Sequence, residues 1–364
     1  MTDAQLRLRY LDEVLRLLYP SGGGRSARTV LPHRLAPRRV VPRARWHAAL
    51  GRPVLVSAGP DTIETYLGDV LGRRVHAVVR VRPARRPNRK PILEAHGDDG
   101  LVGFVKIGDS ERAARLVRHE SEVLHMLAGR VLKVVAPPTV LHHGVWRGLD
   151  VLVISPLPVT HRTVPAGLFN DAVREIASLG TEPGETPFPP PSPLPPPLPY
   201  APGLGPCTGP TAGRGAGPGA GAETGPASGP GAGADAGAAA EAAAPSWHWH
   251  GDLSPWNVAA GADGRLLVWD WERFAGGVPL GFDALHHFFH RALRRMRPPQ
   301  AARACLARSG TVLEPFGISP GQARRTAVHY LLTLADRHYR DGHEPLGPPS
   351  EWLNPLVDHL ECLL

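Results

Sequence analysis

The chain has 364 residues, enough for one large domain or two ordinary ones with a sizeable core, and 42% apolar with 20% charged residues fits a soluble globular protein. No run of 18 apolar residues occurs, and the N-terminus lacks the basic start, apolar centre and small-residue cleavage site of a secretory signal, so spanning and secreted readings are disfavoured. The net charge is +8, Lys appears only at 90, 106 and 133, and the three cysteines (207, 305 and 362) form neither a metal spacing nor an even disulfide set, which fits a reducing cytoplasm.

In chain order, residues 3–18 place Leu6, Tyr10, Leu11, Val14, Leu17 and Leu18 on one helical face. A segment expected to be loop-rich follows. Its stretch from Arg25 to Arg45 holds seven Arg and no acid, and Arg73 to Lys90 holds eight basic residues and no acid. Such stripes attract phosphate through their field or form a solvated basic surface. Residues 75–82, 91–96 and 101–107 read as short strands, the last two joined at Gly97-Asp98-Asp99-Gly100. Residues 111–128 read as a helix and Val151–Ile154 as a strand stopped by Ser155-Pro156-Leu157-Pro158.

Composition then changes. Residues 181–245 hold 31 Gly and Pro, with Pro-Pro-Pro runs and Gly-Ala repeats, and too few apolar side chains to offset ordering entropy; they are expected to be disordered, with a helical turn or two at Ala238–Ala244. Beyond them a hairpin is expected from Val258–Ala260 and Arg265–Trp269 around 261–264, then helices near 284–296, 299–309, 320–340 and 349–363. A β-rich part followed by a helical part implies a cleft, where small ligands usually bind.

The richest string is His250-Gly251-Asp252-Leu253-Ser254-Pro255-Trp256-Asn257, followed by Leu266–Asp270. With the hairpin closed around 261–264, Asn257 opposes Val268 and Asp270 is its diagonal neighbour, ~7–8 Å away at Cα, so both side chains could reach one ion. An amide oxygen and a carboxylate suit Mg²⁺ rather than a soft metal. The spacing H-x-D-x-x-x-x-N plus a later Asp serves phosphoryl transfer: Asp252 orients and deprotonates an attacking hydroxyl, while Asn257 and Asp270 hold Mg²⁺ on the nucleotide. Read singly, each would be an ordinary turn or strand-end residue.

Lys106 shares its strand face with Val102 and Phe104, so it needs a buried anion. In the next helix Ala113, Leu116, Glu120, Val123 and Leu127 form one stripe, so Glu120 points inward and Glu122 away, and Lys106 and Glu120 are expected to pair. No Walker A or Gly-rich kinase loop occurs; basic residues 83–90 stand where the latter would lie, either touching phosphate or forming a solvated hairpin tip. His286 and His290, spaced i, i+4, could bind zinc, but no third ligand is spaced to help. The clustered Trp247, Trp249, Trp256, Trp269 and Trp271 read as core and cleft wall.

The strings His250–Asn257, Trp269-Asp270-Trp271-Glu272 and Gly277–Asp283 resemble those of the aminoglycoside phosphotransferase and choline kinase-like enzymes, and with Arg89-Lys90-Pro91 they look like an actinobacterial branch of that superfamily. The resemblance, over about 75–180 and 246–340, implies an α+β, bilobal protein kinase-like fold: a small β-rich N-lobe, a mostly helical C-lobe and ATP- and Mg²⁺-dependent phosphorylation of a small-molecule hydroxyl. It implies Asp252 as base, Asn257 and Asp270 as metal ligands, Lys106 and Glu120 as the phosphate-positioning pair, and Ser155, Pro156 and Leu157 as the hinge that meets adenine. His250 would prop the catalytic loop, and Asp283 would be a structural carboxylate. The expected divisions are an N-terminal helix and Arg-rich segment (1–50), the N-lobe (51–157), the start of the C-lobe (158–180), the insert (181–245) and the C-lobe (246–364). The insert stands where the family has large-lobe helices, which leaves a nucleotide-binding scaffold without efficient transfer as the rival reading. Nucleic acid is a poorer partner, since no reading module accompanies the Arg stripes.

Overall fold

The computed structural model describes residues 3–20, 22–31, 39–80, 89–161, 163–180, 246–342, 346–347 and 349–353. The expected disorder of 181–245, the tip of the basic loop at 81–88 and the end of the last helix lie outside them. The elements are α1 (Asp3–Leu18), β1 (Arg25–Val30), β2 (Arg39–Pro42), α2 (Arg45–Leu50), β3 (Arg52–Ser57), α3 (Ile63–Leu71), β4 (His76–Arg80), β5 (Ile92–Gly97), β6 (Gly100–Gly108), α4 (Glu111–Ala128), β7 (Val135–Ala136), β8 (Val140–Trp146), β9 (Leu149–Ile154), β10 (Val159–His161) and α5 (Ala166–Ala177). After the gap come β11 (Trp247–Trp249), β12 (Val258–Gly261), β13 (Leu266–Val268), β14 (Ala275–Val278), α6 (Phe282–Leu293), α7 (Pro298–Leu313), α8 (Pro320–Arg340) and a short α9 (Pro349–Trp352). The chain is thus a mixed α+β protein, with an N-terminal β-sheet region and a helical C-terminal region.

The N-terminal region is an antiparallel eight-stranded sheet in the order β3-β1-β2-β4-β5-β6-β9-β8. Its alternating side chains divide two cores. Val79, Leu93, Val105, Ile107 and Val153 meet α1 and α3 through Tyr10, Leu11, Leu18, Ile63 and Leu67. From the other face, Leu152 and Ile154 join Val117 and Leu124 of α4, together with α5 and the β12–β13 hairpin. Helices α6, α7 and α8 enclose a third core around Phe282, Phe289, Cys305, Tyr330 and Leu334. No helix among the described residues is long and apolar enough to cross a membrane.

The Arg-rich segment is not mainly loop. Its β1, β2 and β3 extend the sheet, because its cations find carboxylates far away in sequence: Arg28 is buried against Glu64 at 2.6 Å, and Arg39 and Arg80 share Glu94 at 2.9 and 2.6 Å. A count of local acids could not reveal these partners.

The β12–β13 hairpin is shifted by one residue from the expected register. Val258 faces Val268 and Ala260 faces Leu266, which leaves a five-residue connection in which the Gly261 N–H donates to Arg265 O. Asn257 therefore lies opposite Trp269, whose N–H donates to the Asn257 carbonyl at 3.2 Å. Asp270 is not a diagonal ladder neighbour: β13 ends at Val268, and Asp270 takes φ 75°, a left-handed conformation that Asp tolerates better than most residues.

The hairpin is held at its other edge by the parallel partner β7, which hangs from one side chain. The Glu175 carboxylate of α5 accepts the backbone N–H groups of Lys133, Val134 and Val135 at 2.6–3.2 Å. Glu175→Ala strands these donors and should lower stability by about 1–3 kcal/mol, read as a lower urea midpoint with unchanged m-value.

Candidate functional site

The segment after β11 is fixed from below. Asp283, in the first turn of α6, accepts the N–H of His250 at 2.7 Å and of Gly251 at 3.3 Å. Gly251 has φ 79°, and a Cβ there would fall 2.2 Å from Arg273 O, so only glycine fits. The buried His250 ring accepts the Asp252 N–H at Nδ1, 3.1 Å away, and meets the Trp271 ring edge-on at 4.6 Å. Arg337 of α8 donates to the Gly251 carbonyl.

These constraints present Asp252, whose carboxylate is gripped on both oxygens. Asn257 Nδ2 donates to Oδ2 at 3.0 Å and to the Asp252 carbonyl at 2.9 Å. Oδ1 lies 3.1 Å from His286 Nε2, and His286 Nδ1 lies 3.1 Å from the Tyr330 hydroxyl. Asp252 also lines a cavity of 440 Å³ with Trp256, Glu272, Arg273, His290 and Arg337 among its walls.

A second cluster joins the two regions of the chain. Lys106 Nζ of β6 contacts both Glu120 oxygens of α4 at 2.6 and 2.7 Å and Asp270 Oδ1 at 2.5 Å. Glu120, fully buried, also accepts the Trp271 N–H at 3.2 Å. Burial alone would lower the Lys106 pKa; the Asp270 and Glu120 carboxylates outweigh it and raise it, so the ammonium stays charged. Beside them Lys90 is buried against Glu272. Carboxylate oxygens of Glu120, Asp270 and Glu272 lie within 4.8 Å of one another, an all-oxygen donor set that fits a hard cation.

The structure thus brings together Lys106, Glu120 and Asp270, pairs Asp252 with Asn257, and ties His250 to Asp283. His250 touches both segments, accepting the Asp252 N–H at Nδ1 and meeting the ring of Trp271, the residue after Asp270. Ser155, Pro156 and Leu157 lie on the link from β9 of the large sheet to β10 of the four-stranded one; the Ser155 N–H donates to Thr139 O and Leu157 packs beside Ala136 and Leu267. Two findings go beyond the sequence reading. The Lys90–Glu272 bridge was hidden in a stripe of basic residues, although Lys90 is one of only three lysines. A third potential donor beside His286 and His290 is Asp252, brought in from the loop so that one atom of each lies within 4.8 Å of the others.

No protein-family model matches the chain, and no curated protein matches it. The site's chemistry therefore rests on its geometry.

Burial pushes the His250 pKa from 6.5 down to about 4. A depressed folded-state value means that the stability contribution is full above pH 6.5 and is lost as pH falls towards 4, with a slope of up to ~1.4 kcal/mol per pH unit. Asp283, pushed up to about 7 by burial, works in the opposite direction, its contribution being full below pH 3.8 and lost as pH rises through 7. Urea melts between pH 4 and 7 should show a shallower acid limb in His250→Asn than in the unsubstituted chain.

Proposed function

We propose that the protein is an ATP- and Mg²⁺-dependent phosphotransferase acting on a hydroxyl of a small molecule. The observation that carries this reading is the Lys106–Glu120–Asp270 cluster, which joins a sheet lysine, a helix carboxylate and the carboxylate that follows the Asp252–Asn257 loop. Phosphoryl transfer needs these parts: a fixed cation on the nucleotide phosphates, oxygen ligands for the metal, and a base on the acceptor.

In this reading Lys106, immobilised by Glu120, holds the α- and β-phosphates. Asn257 and Asp270 would hold Mg²⁺, which when bound neutralises charge on the transferred phosphoryl group. Three carboxylates face two lysines in the buried cluster, and the surplus negative charge suits a further cation. Asp252, oriented by Asn257 and His286, takes the proton of an acceptor hydroxyl seated in the adjoining cavity. The segment Ser155–Leu157 would serve as the hinge of a bilobal kinase-like fold.

The acceptor could be aminoglycoside-like, an amino sugar or a natural-product intermediate. Arg273, Arg294 and Arg337 line the cavity together with Asp252, Glu272 and Asp341, and Arg273 is paired with Asp341, so the lining is balanced in charge and suits a polar, hydroxyl-bearing acceptor.

An ATP-depletion assay over a panel of neutral, anionic and cationic hydroxyl compounds tests the reading. Asp252→Asn should keep nucleotide binding and lose about 10²–10⁴-fold in turnover. Asp270→Asn should instead lose most of the Mg²⁺-dependent part of ATP affinity, measured by calorimetry with and without the metal. Thermal stabilisation by Mg-ATP without depletion across the panel would favour the scaffold reading; unchanged turnover in Asp252→Asn would remove Asp252 from the mechanism.

A further inference from the structure

We propose that Asp252, His286 and His290 form a binding site for a transition-metal ion, Zn²⁺ foremost, and that its occupation withdraws Asp252 from phosphoryl transfer. The second half rests on the function proposed above; the first does not.

Four positions apart on α6, the two histidines share one helix face, and their ring centroids are 4.2 Å apart. The Asp252 loop crosses this face, so that one carboxylate oxygen and one nitrogen from each ring lie within 4.8 Å of one another. Ligands on tetrahedral Zn²⁺, at about 2.0–2.1 Å from the metal, sit roughly 3.3 Å apart. The 3.1 Å between Asp252 Oδ1 and His286 Nε2 already matches that spacing, and the His290 donor nitrogen lies within 4.8 Å of its partners.

The surroundings suit a ligand set. Asn257 holds Asp252 Oδ2, leaving Oδ1 on the histidine side. Without a metal, His286 Nε2–H donates to Asp252 Oδ1 and Nδ1 accepts from the Tyr330 hydroxyl; a metal ion would replace the Nε2 proton, and the hydroxyl, by turning, could then accept from Nδ1–H, an outer partner usual for a metal-bound imidazole. His290 Nε2 is buried and has no hydrogen-bond partner among the described residues. Burial keeps both imidazoles neutral at ordinary pH, the state that coordinates. Asp252 and His290 also border the 440 Å³ cavity, which gives a fourth ligand, water or a small molecule, a way in. Two nitrogens and one oxygen select Zn²⁺ and its neighbours over Mg²⁺, so this site and the oxygen-only cluster at Asp270 divide the metals between them.

Competition of the untagged full chain with a chromophoric chelator for Zn²⁺, without nucleotide, tests the site. The unsubstituted chain should take up one equivalent tightly, and Co²⁺ in its place should give the intense visible bands of tetrahedral coordination. His290→Ala and Asp252→Asn, checked for native circular dichroism, should each weaken Zn²⁺ by more than about 100-fold, whereas Tyr330→Phe should cost only ~10–100-fold, as loss of an outer partner does. Zn²⁺ affinity unchanged in both ligand variants, or an octahedral Co²⁺ spectrum, would overturn the site. The phosphotransfer assay separates the two claims. Inhibition by Zn²⁺ in excess Mg²⁺, relieved in proportion in His290→Ala, supports the whole proposal, and full turnover with Zn²⁺ bound overturns its second half. Ligand-dependent Zn²⁺ binding in a chain that transfers phosphate to no acceptor sustains the site and counts against the proposed function.

Discussion

A lysine ammonium at 5% exposure holds its charge only if carboxylates come to it, and the central part of this molecule is organised by that requirement at Lys106. Lys106 belongs to a strand of the large sheet, Glu120 to the helix that covers it, and Asp270 to a segment more than 160 residues further along the chain. Removing one member of such a set leaves a buried charge uncompensated, at a cost of about 3–5 kcal/mol. The cluster therefore reinforces the apolar core that α4 and β9 share with α5 and the hairpin, and the Lys90–Glu272 bridge repeats the device beside it.

The loop that carries Asp252 follows a different logic. It has little regular structure of its own and borrows its shape from neighbours: Asp283 beneath two of its amides, Arg337 on a carbonyl, His286 and Asn257 on the carboxylate. Each of these groups is locked by its own packing, which lets an irregular backbone hold a reactive side chain to one orientation. Most of these contacts come from α6 and α8, so the helical region supports the loop as well as filling space.

Periodicity made much of this legible in the sequence. The α4 stripe placed Glu120 inward and Glu122 outward, and the β6 alternation put Lys106 among apolar neighbours, so their ion pair followed from two local patterns. The helices α1, α4 and α8 were visible with nearly their full extent for the same reason. What stayed hidden depended on partners remote in sequence. The strands β1 to β3 looked like loop because Glu64 and Glu94, which neutralise their arginines, lie outside the stripe. The hairpin slipped by one residue because Gly261 can close a four- or a five-residue connection, and apolar alternation over three residues cannot choose between them. His286 and His290 were seen as a pair; the loop that brings Asp252 to them has no periodicity to reveal its path.

The two ends left by the gap after Gly180 are neighbours. The turn Ser178–Gly180 and helix α5 both pack against β11, so the chain departs and returns at nearly the same place. Closure entropy grows only with the logarithm of loop length. Were the 65 residues of 181–245 a fully flexible loop, closing it would cost about 2 kcal/mol more than a roughly eight-residue connection. Length at this point is thus nearly neutral to the fold. The two flanking pieces, already in contact, have the geometry of a protein that could be divided there into complementing fragments.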